Sequence, residues 1–243
     1  MILTIANQKG GTAKSTTVAA LAQAAAHRGR RCLAIDLDPQ GNLSFFLGAD
    51  ANRAGAFDLL EGTPALQLVQ ATGCGVDVIP ASWNLQSLGT SRGSARRLRA
   101  ALEPIAGSYD LIICDTPPTA GELQYNALMA STNLIIPLQA DAVCLQGLYQ
   151  ITDTARQIQQ NNPALQVTGY ILTRHGGRST IARQMAEMIQ TQAANMGIPF
   201  LAAIREAVAI REAQALQRSL YDYAPRSKPA ADYLALYDMI DRQ

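Results

Sequence analysis

Short, almost uninterrupted apolar runs alternate along this chain with longer stretches in which apolar residues recur at helical spacing. The runs at 2–6, 32–36, 76–79, 111–115, 133–138 and 166–173 predict strands, with a seventh at 200–204. Between them, 15–27, 94–102, 122–130, 144–160 and 181–194 predict helices, and two more near 207–216 and 229–240 close the chain. The strands are continuously apolar rather than alternating, the pattern expected when helices cover both faces of a sheet. The β-α-β-α order implies right-handed crossovers and hence a doubly wound, mostly parallel α/β sheet flanked by helices. No internal repeat or Pro/Ser-rich linker interrupts the pattern, so residues 1–243 are expected to form a single domain.

Composition adds bounds to that picture. The length of 243 residues, 48% of them hydrophobic, suffices for one large core. No basic segment precedes the first apolar run and no run reaches about 18 apolar residues, so neither a signal peptide nor a membrane span is expected. Four cysteines (Cys32, Cys74, Cys114 and Cys144) stand far apart without a C-x-x-C pair, which predicts a reduced, cytoplasmic chain. A net charge of +1 gives no bulk argument for any charged partner. The basic residues are nevertheless unevenly chosen. Seventeen are arginine, and two of the only three lysines, Lys9 and Lys14, flank a Gly-Gly pair.

That pair belongs to Gln8-Lys9-Gly10-Gly11-Thr12-Ala13-Lys14-Ser15-Thr16, which leads from the first strand into the first helix. A strand, a glycine-containing turn and a helix start can bind phosphate through converging backbone N–H groups, with Lys supplying a point charge and Ser15 a ligand for Mg²⁺. The pattern G-x-x-x-x-G-K-[ST] fails at Gln8 and Ala13, and an ordinary βα turn stays open on these residues alone. If position 13 needs a positive φ, its Ala costs about 1 kcal/mol or more. The second strand ends in Asp36-Leu37-Asp38-Pro39-Gln40-Gly41-Asn42, where period-2 geometry puts both acids on one side at a carboxyl edge. Two acids so placed suit an Mg²⁺ shell and an attacking water; a capping Asp with an exposed neighbour is the alternative. The 111–115 run also ends in an acid, Asp115, before Thr116-Pro117-Pro118.

Taken together, these segments resemble the ParA/MinD family of deviant Walker A P-loop ATPases. The family forms are K-G-G-x-G-K-[ST]-T, then D-x-D-P-Q-[AG]-N, then D-x-x-[IV]-[IV]-D-[TCS]-P-P, and the similarity extends over essentially the whole chain, short ParA type. The resemblance implies ATP and Mg²⁺ as cofactors, with residues 9–16 (Lys9, Gly10, Gly11, Thr12, Ala13, Lys14, Ser15, Thr16) on the phosphates. It makes Lys9 the lysine that reaches a partner chain's phosphates across a nucleotide-sandwiched dimer, and Lys14 the one acting in its own subunit. Asp38 would orient or activate water; Ser15 and Asp115, with Asp36 in support, would surround the metal. Arg174, and more loosely Arg205 and Glu206, would border the adenine.

The implied biology is an ATP-dependent homodimer on nonspecific double-stranded DNA, in the cytoplasm on the nucleoid. An adaptor of ParB or McdB kind would stimulate hydrolysis and tie the ATPase to a plasmid, a chromosome region or a carboxysome-like organelle. DNA contacts would fall to Arg178, Arg183, Arg218, Arg226 and Lys228, or to a stripe of Arg92, Arg96 and Arg99; either set could equally be a solvated face. A tail of two acids and one Arg argues against a membrane anchor, and too few residues precede Lys9 for an operator-reading domain. The rivals are a MinD-like membrane-cycling ATPase and a metabolic ligase of the dethiobiotin-synthetase type.

Overall fold

The computed structural model describes residues 1–88, 94–175 and 180–242. In chain order its elements are β1 (Ile2–Ile5), α1 (Lys14–His27), β2 (Cys32–Asp36), α2 (Asn42–Leu47), α3 (Ala56–Leu60), α4 (Ala65–Leu68), β3 (Gln70–Ala71), β4 (Asp77–Ile79), α5 (Arg97–Leu102) and β5 (Leu111–Asp115). There follow α6 (Glu122–Ala130), β6 (Asn133–Gln139), α7 (Cys144–Gln159), β7 (Gln166–His175), α8 (Thr180–Asn195), β8 (Phe200–Arg205), α9 (Val208–Ala215), α10 (Leu220–Tyr223) and α11 (Lys228–Ile240).

Among the described residues the strands form one sheet in the order β3-β4-β2-β5-β1-β6-β7-β8. All neighbours are parallel except the short edge pair of β3 with β4. That antiparallel strand departs from the sequence expectation: two residues are too few to register as a period. The four- to six-residue helices α2, α3, α4 and α10 went unread for the same reason. The helix expected over 94–102 starts instead as a 3₁₀ turn, Ser94–Arg96, before α5. Arg96 ends that turn and Arg99 stands three residues on in α5, while Arg92 lies outside the described residues.

Alternate strand residues serve opposite faces. Ile113 packs with α1, α10 and α11, whereas Ile112 and Cys114 face the layer built from α3 to α6. A third cluster joins Leu134, Ile136 and Leu138 to α7 and α8. Helix α1 is buried along ten of its fourteen residues, and its run of alanines lets it lie close between sheet and α11. All four cysteines are buried and free.

The register sets the carboxyl edge. Asp115 pairs with Ile5 on one side and with Asp36 on the other, so β1, β5 and β2 end side by side. Helix α7 closes against this edge at Gly147, where a Cβ would come within 2.6 Å of Asn7 Oδ1. Asn7 is a brace: its Nδ2 donates to the Pro137 carbonyl at 2.7 Å and its Oδ1 accepts from Lys9 N–H at 3.1 Å. Gly147→Ala should displace Asn7 and destabilise the fold by about 1–3 kcal/mol in urea denaturation. An unchanged midpoint would show that α7 does not depend on this close approach.

Candidate active site

The loop after β1 is held open by its backbone. Gly11 (φ 77°) and Ala13 (φ 64°) are both left-handed, so the position the sequence marked as a departure does need a positive φ. An L-residue pays about 1–2 kcal/mol there. One hydroxyl braces the loop from outside: Thr173 Oγ1 shares its proton between the Thr12 carbonyl in the loop and the Leu138 carbonyl in β6, each at 3.2 Å. Ala13 caps α1 with no side-chain hydrogen bond, which leaves the first-turn N–H groups directed at the cavity, where an anion is favoured. Lys14 is buried and its Nζ donates to the Lys9 carbonyl at 3.1 Å. Desolvation lowers its pKa, while Asp115 and Asp38 draw it back up.

The three acids have different environments. Asp36 is fully buried; its Oδ2 accepts from Ser44 N–H (2.8 Å) and Ser44 Oγ (2.7 Å), and its Oδ1 from Asp38 N–H (3.1 Å). Burial still pushes its pKa up to about 6. With every oxygen engaged, Asp36 ties β2 to the following loop and to α2. Asp38 accepts from Gln40 N–H at 3.0 Å and lines the cavity. Asp115 is fully buried; its Oδ1 accepts from Thr116 N–H at 3.0 Å, and its Oδ2 has no hydrogen-bond partner. Burial and the neighbouring Asp36 drive its pKa well above the usual carboxylate range, against the pull of Ser15 and Lys14. A buried carboxylate oxygen without a hydrogen-bond partner is an unmet demand for a cation, and together with the Ser15 hydroxyl at the cavity it offers hard oxygen donors that fit Mg²⁺. Ser15 and Asp115 are the residues that fit it.

The loop 10–16, Asp38, Asn42, Phe46, Pro118 and Arg174 enclose a cavity of about 360 Å³. A second cavity of about 230 Å³ continues from it, walled by Thr16, Phe46, Arg174, Glu206, Ile210 and Gln214. Arg205 borders the second cavity, but its guanidinium is committed: Nε and Nη2 donate to Asp232 at 2.9 and 2.5 Å, and its N–H donates to the same carboxylate at 3.0 Å. It fixes the corner that carries Glu206. A larger cavity of about 670 Å³ lies between α3, α4 and α5, remote from these acids, with Arg97 paired to Glu61 at its wall.

Lys9 does not line the cavity of its own loop. Its Nζ is paired instead with Asp141, two residues beyond β6. Of the residues marked for DNA, Arg183, Arg218, Arg226 and Lys228 are exposed on α8, the α9–α10 connection, the α10–α11 connection and the start of α11 respectively; Arg178 lies outside the described residues. Arg218 sits 5.7 Å from the Tyr223 ring centroid.

Sequence reading missed Asp141, Ser44 and Phe46. Asp141 carried a usable signal, an acid just past a strand's carboxyl end, where ligands gather in such sheets. Ser44 and Phe46 sit on α2, whose six residues hide their period.

Around one cavity, then, stand the glycine-containing loop, a buried lysine and Asp38, with the fully buried Asp115 close to that lysine. A family model described as an AAA domain matches residues 1–167. The chain is 34% identical over 244 residues to the sporulation initiation inhibitor protein Soj of Bacillus subtilis, covering 97% of this chain and 96% of that one. It is 36% identical over 244 residues to the chromosome partitioning protein ParA of Myxococcus xanthus, covering 97% and 86%. A solved structure of cobyrinic acid a,c-diamide synthase from Mycobacterium smegmatis, with bound ATP analogue and magnesium, matches with a TM-score of 0.84 and 32% identity over 99% of this chain and 94% of that one. The chain belongs to the ParA/MinD-type family of P-loop ATPases.

The Asp115 environment yields a pH test. Its native carboxyl keeps a proton to higher pH than the unfolded chain does, so this group's contribution to stability falls as pH rises through that interval. Asp115→Asn without nucleotide should raise the thermal midpoint near neutral pH, about 2–4 °C for each kcal/mol relieved. The advantage should shrink in acid and vanish below the unfolded carboxyl pKa. A lower midpoint for the variant near neutral pH would contradict this picture.

Proposed function

We propose that this protein is a ParA-type positioning ATPase that hydrolyses ATP to ADP and phosphate within a nucleotide-bridged homodimer. The observation that carries the reading is the division between its two loop lysines. Lys14 is buried against Asp38 and Asp115, whereas Lys9 stands outside its own cavity, held by Asp141. A lysine that does not serve its own phosphate cavity is free to serve a second copy's.

The cycle follows from these residues. The first-turn N–H groups of α1 and the Lys14 ammonium hold the phosphates, and the buried setting strengthens both attractions. Mg²⁺ bound by Ser15 and Asp115 would supply positive charge to the phosphate oxygens. Asp38, its backbone fixed by Asp36, orients the water and accepts its hydrogen bond. Lys9 exchanges Asp141 for the partner's phosphates when two copies meet. Nonspecific duplex DNA binds to exposed arginines of the paired chains through phosphate contacts, and a cargo-borne adaptor accelerates turnover.

Two observations favour this over the rivals. Helix α11 packs Tyr233, Leu236, Tyr237 and Ile240 into the core, and Asp238 and Asp241 pair with Arg28 and Arg30. The apolar face of α11 is therefore covered by the core, and no helix among the described residues is long and apolar enough to cross a membrane. The amide-forming activity named for the Mycobacterium smegmatis protein is a second reading, because the two chains share 32% identity. Such a ligase has no use for a lysine aimed away from its own nucleotide.

Random-sequence duplex DNA, titrated at two salt concentrations with MgATP, MgADP or no nucleotide, tests the reading. Binding only with MgATP, steeply salt-dependent, supports it; binding without regard to nucleotide, or vesicle binding instead, defeats it. Asp38→Ala should retain MgATP and the dimer in sedimentation while turnover falls at least ~100-fold. Fast turnover by that variant would remove Asp38 from its role. Lys9→Ala should abolish the MgATP dimer and leave MgADP affinity within a few-fold; equal loss of both would mean Lys9 acts in its own subunit.

A further inference from the structure

We propose that the Phe46 ring is the platform on which the base of the bound nucleotide stacks. The inference rests on the nucleotide-binding reading above and concerns a residue that neither the sequence nor the family resemblance marked.

Helix α2 follows directly on the Asp38–Asn42 loop and packs against α1 and α9. Ser44 anchors it: its N–H and Oγ donate to Asp36, and its Oγ accepts from Ala81 N–H at 2.9 Å. Two residues further along a helix is about 200° of rotation, so Phe46 faces away from Asp36. It points towards the space between α1 and α9. Its ring is half-buried and lines both cavities, the one over the phosphate loop and the one continuing from it. Among the described residues, Ala13, Thr16 and Arg174 share that double membership. Phe46 thus stands at the junction through which a molecule held at the loop by its phosphates must pass.

The second cavity has the character that a planar heterocycle needs. Ile210, Ala13 and the Phe46 ring give apolar surface, while Thr16, Glu206 and Gln214 place donors and acceptors at the edges. Gln214 Nε2 already donates to Thr16 Oγ1 at 3.1 Å, which fixes that edge. Arg174 also borders the junction, from a backbone held at φ 52°, a strained setting for a side chain other than glycine. Two further cations border this cavity: Arg205 is occupied by Asp232, and Arg211 stands 3.9 Å from the Glu206 carboxylate. Among these walls Phe46 is the aromatic that borders both cavities, and base–aromatic stacking is worth a large factor in affinity. Because α2 also holds Asp36 through Ser44, a base resting on Phe46 bears on the helix that fixes the Asp38 loop.

The test separates base from phosphate. Equilibrium binding of MgATP and of magnesium tripolyphosphate, which has no base, is measured on the wild type, Phe46→Leu and Phe46→Tyr. Phe46→Leu should weaken MgATP about 5- to 100-fold and leave tripolyphosphate within about twofold, while Phe46→Tyr keeps both. Unchanged MgATP affinity in Phe46→Leu, or equal loss of both ligands, overturns the proposal. Phe46→Trp, in a Trp83→Phe background, gives an independent readout should the Leu variant fold poorly. Its fluorescence should be quenched by MgATP and not by tripolyphosphate, and identical responses to the two would again overturn the proposal. A wild type that binds no MgATP would instead defeat the nucleotide reading itself.

Discussion

The structure turns on a charge cluster buried where β1, β2 and β5 end. Asp36 and Asp115 pair in register across neighbouring strands, both fully buried, with the Lys14 ammonium the nearest compensation. Like charges so close inside a protein are costly unless each finds partners. Asp36 has three donors and Asp115 has one oxygen with none. The fold tolerates this because the surrounding layers are dense: α1, α11 and the strands make one continuous core beneath the site. The remaining deficit is the form of an active site that a cation and a polyanion complete.

From that constraint the other features acquire their places. Asp36 accepts from Asp38 N–H and twice from Ser44, and so holds the Asp38 loop and α2 in place. Asp38, bound through only one oxygen, is the acid left to face the cavity. Thr173 and Asn7 brace the loop from β7 and from the α7 side, so that two left-handed residues, Gly11 and Ala13, can be kept in a conformation that costs free energy. Lys9 is the exception: its partner, Asp141, is a single, partly exposed acid just past β6.

Much of this was legible in the residues. Continuous apolar strands announced a sheet covered on both faces, and the long elements fall within one or two residues of expectation. Strand-end positions alone placed Asp36, Asp38 and Asp115 on one edge. What escaped was local and short. The antiparallel β3, the helix α2 with Ser44 and Phe46, and the 3₁₀ start before α5 are shorter than one reliable period. Tertiary pairings escaped for a different reason. Neither the Lys9–Asp141 pair nor the capture of Arg205 by Asp232 leaves a trace in spacing, because the partners are far apart in sequence and meet only in the fold. The distinct jobs of Asp36 and Asp115 likewise depend on which oxygen finds a donor.

A direct measurement of the central claim is the thermal midpoint of the wild-type chain with Mg²⁺ alone, ATP alone in chelator, and both together. A buried acid cluster awaiting its cation beside a phosphate loop predicts a strongly superadditive rise: little from either ligand singly and a large shift from the pair. An equal rise from ATP in the presence of chelator would contradict it. The unpartnered oxygen of Asp115 would then have no part in holding the nucleotide.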